Sequence, residues 1–404
     1  MSKTVCLYYV RETIFKEVTG RMYLFSGGMS EAARVIWTVG SPLVLALGVV
    51  GNTMTLITLL HRRAKKTPTT IFLTLLAFAD ILLITVSTPR WTLIYNFGID
   101  IRYLGNGFCK GQFFLAFMAP CVSVYSLVAM TIERLLYTLR PFDAKFLITR
   151  KVAVIVCVVV VAFSVSITSH LAYGFSLKEF EVPNQKDLPA NTTANNCSDM
   201  MPIHDNISHV NIQSMNAMAV SSDVRPVVKK IKVCWMFNEK YLNFYTKTFL
   251  PISFVYYLVI PIIIFVVCGT IIVVKVAQSK RKASTKSDQK DDKNKQSSNQ
   301  VTFTVLIINI TFIVLASPAQ VFMQGLSRWV DPVTGMTPLQ EVVWAITNQM
   351  FFLNHAVNFL LYFMTGRKFR AQFVSIFTCL TSARGGLNDK VAADTKKINS
   401  ISTF

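Results

Sequence analysis

Seven apolar stretches dominate this chain, each close to or beyond the roughly 20 residues a helix needs to cross a ~30 Å hydrocarbon core. They run Arg34–Leu60, Thr70–Tyr95, Asn106–Leu139, Arg150–Tyr173, Lys247–Gln278, Gln300–Gly325 and Gln340–Met364. Lipid offers no partner to a free peptide group, so spans of this length are helices. The alternating pattern of a membrane β-barrel is absent. With 52% of its 404 residues hydrophobic and only 15% charged, most of the chain falls outside the soluble, fibrous and disordered classes. A net charge of +20 would point to nucleic acid in a soluble protein. Here much of it lies in short connections, where it sets topology and attracts anionic lipid, so no nucleic-acid partner is expected.

Those basic connections orient the chain. His61–Lys66 reads HRRAKK, Gln278–Lys286 reads QSKRKASTK, and Gly366-Arg367-Lys368-Phe369-Arg370 follows the seventh block. Such segments belong in the cytoplasm. With seven spans the N-terminus is then outside and the C-terminus inside, in the plasma membrane. The first 33 residues hold no apolar run of signal-peptide length, so the first span is expected to act as its own insertion signal. Glycosylation sequons at Asn191, Asn196 and Asn206 all fall in the connection after block four, which this topology places outside. A further match at Asn309 lies within block six and is expected to be inert.

The expected organisation is an external segment 1–33, a membrane domain 34–364, a membrane-parallel helix 365–380 and a cytoplasmic tail 381–404. The long external connection covers about 174–246 and the basic inner one about 279–299. The polar stretches Leu177–Lys232 and Ser279–Asn299 have too little apolar surface to order themselves and read as largely flexible. Phe369, Phe373, Ile376 and Phe377 give the membrane-parallel helix an apolar face, and Cys379 at its end is a candidate for palmitoylation. Cys121, Cys157 and Cys268 lie in apolar helices and read as packing residues. Cys6, Cys109, Cys197 and Cys234 are on the oxidising side. A Cys109–Cys234 bridge would pin the long loop over the bundle mouth; a Cys6–Cys197 pair is arithmetically allowed.

Polar residues inside membrane spans are costly, so each one asks for a reason. Block one carries Gly51-Asn52, and block two Leu76-Ala77-Phe78-Ala79-Asp80. Block three runs from near Cys109 to Glu133-Arg134-Leu135, with Pro141-Phe142 beyond. Blocks five and six carry Pro261 and Pro318; block seven has Asn354, then Asn358-Phe359-Leu360-Leu361-Tyr362. In this order, with 25 residues from Cys109 to Arg134, the chain resembles the rhodopsin-like G protein-coupled receptors from about Arg34 to Leu380. Block seven, NHAVNFLLYFMTGRKFR, looks most like invertebrate FMRFamide-receptor-like neuropeptide receptors.

The resemblance implies an all-α bundle of seven transmembrane helices with a short eighth. It also implies a heterotrimeric G protein inside, with arrestin and a receptor kinase acting on the tail. Glu133 and Arg134 match the family's cytoplasmic switch; a snorkelling interfacial pair is the plainer reading. Phe142 matches an apolar knob for the G protein, next to Pro141. Asp80, Ser123, Asn354 and Asn358 match the oxygen-bearing positions of the family's internal sodium site; a protonated Asp in a hydrogen-bond network is the alternative. His355 stands where the family has a small hydroxyl residue. Other departures are Ala316 for the block-six Trp, Gly269 for the inner Tyr of block five, the absent Trp of block four and Phe359 for the block-seven Pro. Phe312, Pro318, Asn358 and Tyr362 are left to carry an activation relay.

The same alignment excludes ligands. An amine receptor has an Asp eighteen residues before the switch Arg, where this chain has Ala116, and an opsin has a Lys where this chain has Phe352. The expected pocket wall is Arg90, Trp91, Gln112, Phe113, Phe117, Tyr257, Gln320, Met323, Gln324, Asn348 and Gln349. Lys229, Lys230 and Lys232 lie in the outer loop beside Cys234. Aromatics, amides and cations together suit a short extracellular peptide. A chemosensory or small-molecule receptor is the second reading. A transporter would show repeated broken spans, which are not evident. No phosphate loop, metal-ligand cluster or paired nucleophile and base supports an enzyme. Arg90 has no acid in block seven to meet, and Asp80 lies about 15 Å deeper at 1.5 Å per residue. Its partner is therefore expected to be the ligand.

Overall fold

A computed structural model of the protein describes residues 30–61, 67–183, 228–283, 292–329, 336–367 and 369–376. The chain forms a bundle of seven spans. Six helices are long and apolar enough to cross a membrane. They are α1 (Glu31–Leu60), α2 (Pro68–Phe97), α3 (Asn106–Leu139), α4 (Arg150–Gly174), α5 (Glu239–Ser279) and α6 (Asp292–Trp329), the last apolar over Gln300–Gly325. The seventh, α7, crosses in two pieces, Pro338–Ala356 and Asn358–Thr365, with a bend at Val357. A terminal helix α8 covers 369–376.

Local signals set the helix starts. Thr67 and Thr70 form a capping box with Pro68 in the first turn of α2, and Thr337, Gln340 and Pro338 repeat it at α7. The Thr149 side chain accepts from Val152 N at the start of α4. Two π-turns, Tyr245–Phe249 and Val255–Val259, interrupt α5. The second carries Tyr256 and Tyr257, both buried. α3 is the most buried span and α4 the least. α3 packs against α2, α4 and α5, while α1 packs on α2 and α7. The main core cluster surrounds α3, with Leu76, Val124, Tyr257, Phe265, Phe312 and Tyr362 among its members.

Two expectations of flexibility are corrected at their edges. The long connection leaves and re-enters the bundle as an antiparallel pair, β1 (Ser176–Pro183) with β2 (Val228–Trp235). Its register sets Glu179 opposite Lys232. Opposite charges across a ladder stabilise it, and the Glu179–Lys232 pair closes to 3.4 Å. The second correction is at 292–299, where the polar run already belongs to α6. The sequons at Asn191, Asn196 and Asn206, the thiols of Cys6, Cys197 and Cys379, Phe377 and the tail lie outside the described residues.

Phe359, where the family has proline, builds the joint between α7 and α8. Its ring lies 5.9 Å from Phe369 and 5.6 Å from Phe373, and Phe369 also meets Tyr362 at 5.7 Å. The apolar side of α8 at Phe369 and Phe373 is thus spent on α7. Gly51 faces this joint, where an added Cβ would come within 3.1 Å of Phe359 Cβ.

Candidate functional site

Three sites line up along the bundle: a cavity at the disulfide end, a polar knot at mid-depth and a charged lock at the Arg134 end.

The bridge joins Cys109 at the start of α3 to Cys234 in β2, tying the strand pair to the bundle. Phe175, Leu171, Tyr245 and Phe249 pack around it, and Phe175 stacks on Phe113. Beneath lies a cavity of about 230 Å³. Of the expected wall residues, Arg90, Trp91, Gln112, Phe113, Phe117, Tyr257, Gln320, Met323 and Asn348 line it. Gln324 and Gln349 do not. Gln324 Nε2 donates to Leu250 O on α5 at 2.8 Å, and Gln349 Nε2 donates to Ser41 Oγ on α1 at 2.9 Å. Each amide N–H group donates to a neighbouring helix. The side chains of Lys229 and Lys230 lie outside the described residues, and Lys232 is a surface partner of Glu179.

Arg90 does have an internal partner, which corrects the expectation that it waits for a ligand. Gly98, at φ +69°, ends α2 and turns the chain back. Asp100 therefore returns over Arg90 and accepts from its Nε at 3.2 Å and Nη2 at 3.1 Å. Asp100 also accepts from Arg102, from backbone N at 3.0 Å and Nη2 at 2.6 Å. Burial raises the Asp100 carboxyl, but hydrogen bonding from Arg102 and the charges of both arginines outweigh it, holding it down at about 2. Arg102 is a charged wall residue that sequence reasoning missed. It lies in a single 3-10 turn, Ile101–Leu104, its guanidinium 5.5 Å from the Phe113 ring. The Arg90 guanidinium sits over Trp91 at 4.2 Å. Two guanidiniums sharing one carboxylate leave a net positive charge at the cavity wall.

The cavity floor connects to the core. Tyr257, Phe351 and Phe352 line the cavity. Tyr257 meets Phe312 edge-on at 5.9 Å and Phe351 at 6.3 Å. Phe351 lies 5.2 Å from the His355 ring. Ala316 is fully buried among these aromatics, so the space a tryptophan would take is already filled.

At mid-depth Asp80 gathers three donors. Ser123 Oγ donates to Oδ1 at 2.7 Å, His355 Nδ1 stands 2.6 Å from the same oxygen, and Asn358 Nδ2 donates to Oδ2 at 2.6 Å. Asn354 is buried on the same helix, but among the described residues no hydrogen bond joins it to the knot.

At the other end Arg134 Nη2 bonds Glu133 Oε1 at 2.7 Å and also donates to Thr69 Oγ1 on α2. Thr69 in turn donates to Glu133 Oε1 at 2.7 Å. Asn309 on α6 donates to Thr131 on α3 at 2.9 Å, and Thr304 meets Thr365 at 2.8 Å, fastening α6 to α3 and α7. Beyond the lock, the short helix Pro141–Leu147 exposes Phe142 at 78% and Phe146 at 83%. Phe146, four residues on, doubles the apolar knob expected from Phe142 alone. Pro318 lies within α6, and Tyr362 is buried in the core.

Comparison with known proteins shows what a bundle with this bridge, knot and lock resembles. The family model for the seven-transmembrane receptors of the rhodopsin family matches residues 51–224. The match covers less than half of the chain, which resembles that family, and its membrane-length helices make it a multi-pass membrane protein. It is 24% identical to mouse neuromedin-U receptor 2 over 346 residues, covering 83% of this chain and 73% of that protein. It is 23% identical to the neuromedin U receptor homolog nmur-2 of Caenorhabditis elegans over 339 residues, 82% and 76% of the two chains. Over 160 residues, 40% of this chain and 36% of the relative, it is 29% identical to the rabbit cholecystokinin receptor type A.

Proposed function

We propose that this protein is a cell-surface receptor that takes the end of a short extracellular peptide at the disulfide end of the bundle and activates a heterotrimeric G protein at the Arg134 end. The observation that carries the ligand class is the cavity wall, where Arg90 and Arg102 share one carboxylate beside Gln112, Gln320 and Asn348. Guanidinium N–H groups and amides are the donors and acceptors that peptide carbonyls and carboxylates require. The neuromedin-U and cholecystokinin receptors among the relatives carry the same ligand class. A cavity of about 230 Å³ falls below the roughly 300–1,000 Å³ of a pocket for a whole drug-sized ligand. One or two side chains enter, and the rest of the peptide lies over the strand pair.

The net positive wall favours a peptide whose entering end carries an acidic side chain or a carboxylate over one that presents a cation there. The N-terminus is outside, with the sequons at Asn191, Asn196 and Asn206 glycosylated, and the tail is inside, reached by arrestin and a receptor kinase. Cys379, if acylated, anchors the end of α8 in the lipid. The FMRFamide-receptor-like wording of block seven narrows the ligand to a neuropeptide.

The test is to challenge cells expressing the chain with a library of synthetic neuropeptides while reading calcium and cyclic AMP. A peptide that triggers either signal in expressing cells alone supports the reading. Silence to peptides with a response to a small-molecule panel replaces it with a chemosensory receptor.

A further inference from the structure

We infer that the polar centre of this bundle is closed to sodium, and that His355 is the group that closes it. The family's internal sodium site would draw on oxygens of Asp80, Ser123, Asn354 and Asn358, so the donor set decides whether the ion fits. With Asp80 ionised, the form a cation would bind, the 2.6 Å approach of His355 Nδ1 to Oδ1 requires the proton between them to sit on the ring, so His355 presents Nδ1–H whether it is otherwise neutral or charged. Ser123 points its hydroxyl proton at the same oxygen, and Asn358 turns its NH2 toward the other. All three neighbours are therefore donors aimed at the carboxylate. A hard cation needs oxygen lone pairs facing it, and here three donors take three of the carboxylate's roughly four lone-pair directions, both of those on Oδ1.

Nor is there slack for rearrangement. Asp80, Ser123 and His355 are at most 2% exposed. The His355 backbone is held by Asn52 Nδ2, which donates to its carbonyl at 2.9 Å, and its ring is braced by Phe351 at 5.2 Å. The imidazole thus does from within the chain what the ion would do: it joins α7 to α2 beside α3. Phe351 links that joint to the cavity floor, which ties the resting arrangement to ligand entry rather than to the salt outside.

The experiment needs no ligand. The full-length receptor, purified in detergent, is melted in sodium, potassium and choline chloride at equal ionic strength. An ion that binds only the folded state raises the midpoint in a saturable way. For the wild type the three curves are expected to coincide. His355→Ser replaces the N–H with a hydroxyl free to accept and is expected to gain a saturable, sodium-specific rise, which Asp80→Asn in the same background removes. A sodium-specific rise in the wild type overturns the inference. So does a His355→Ser protein that melts cooperatively yet ignores sodium, because another group must then exclude the ion. If His355→Ser does not fold, His355→Asn, which keeps an acceptor oxygen and more volume, is read in the same way.

Discussion

Tyr257 meets Phe312 edge to face at 5.9 Å, one ring lining the ligand cavity and the other buried in the bundle core. This contact, with Phe265 5.7 Å beyond Phe312, joins the cavity wall to α6 and is the proposed route by which occupancy of the cavity reaches that helix. The Tyr257 hydroxyl is buried with no hydrogen-bond partner among the described residues. Removing an unsatisfied buried hydroxyl costs little and can stabilise. Tyr257→Phe is therefore expected to leave melting temperature and signalling unchanged or slightly raised. Tyr257→Leu keeps apolar fill but removes the ring, and is expected to lower maximal agonist-driven nucleotide exchange severalfold at matched surface density. Equal maxima for the two variants would remove Tyr257 from the relay.

Arg90 and Arg102 are expected to contribute separately to agonist potency. A hydrogen bond to a charged group is worth roughly 1.5–3 kcal/mol, so Arg90→Ala or Arg102→Ala should each shift the dose–response curve about 10- to 100-fold. Arg90→Lys should recover only part, since lysine lacks the planar fork that meets Asp100 and a ligand together. Curves for either alanine variant that overlay the wild type would show that residue to be structural only.

Asp100 supplies a pH signature. Its carboxyl is held at about 2 in the folded protein, below the ordinary value near ~3.9. A carboxyl depressed in this way stabilises the fold above its unfolded value, and that stability is lost as pH falls toward the folded one. The melting midpoint of Asp100→Asn should therefore lie below the wild type by a constant margin from pH 8 to about 5. The margin should narrow only below about pH 4. A margin already gone at pH 5 would mean that the two arginines do not hold Asp100 ionised.

Gly174 marks where the end of α4 meets α5. An added Cβ would fall 1.8 Å from the Tyr241 ring, and that tyrosine is fixed by a 2.7 Å hydrogen bond with His170 Nδ1. Overpacking of this kind typically costs ~1–3 kcal/mol. Gly174→Ala is expected to reduce surface expression, measured by antibody staining of intact cells, and Gly174→Ala with Tyr241→Ala to restore part of it.

The seven spans were legible because membrane helices declare themselves by apolar length, and Asn106–Leu139 was placed to the residue. The strand pair was less so. Its apolar residues are interleaved with charges, and the residues it pairs, such as Glu179 and Lys232, lie more than fifty positions apart. At the cavity, nine of the eleven wall residues expected from the family resemblance line it, yet sequence alone could not distinguish an inward amide from one bonded to the next helix, as with Gln324 and Gln349. Arg102 and Asp100 were missed for a different reason. Both sit in a short loop outside every apolar block, and only the left-handed turn at Gly98 brings them back over Arg90. His355 was visible as a departure from its family, but that its nitrogen faces Asp80 is a matter of geometry.

Arg134, bonded here to Glu133 and Thr69, is the proposed switch toward the G protein. The most direct measurement is nucleotide exchange on a purified heterotrimeric G protein, driven by wild-type, Arg134→Ala and Thr69→Val receptors at matched surface density. Exchange should be lost in Arg134→Ala while ligand binding persists. Thr69→Val removes two hydrogen bonds, one from Arg134 and one to Glu133; at about 0.5–1.5 kcal/mol each, their loss should raise ligand-free exchange about 5- to 150-fold. Normal exchange by Arg134→Ala would contradict the account.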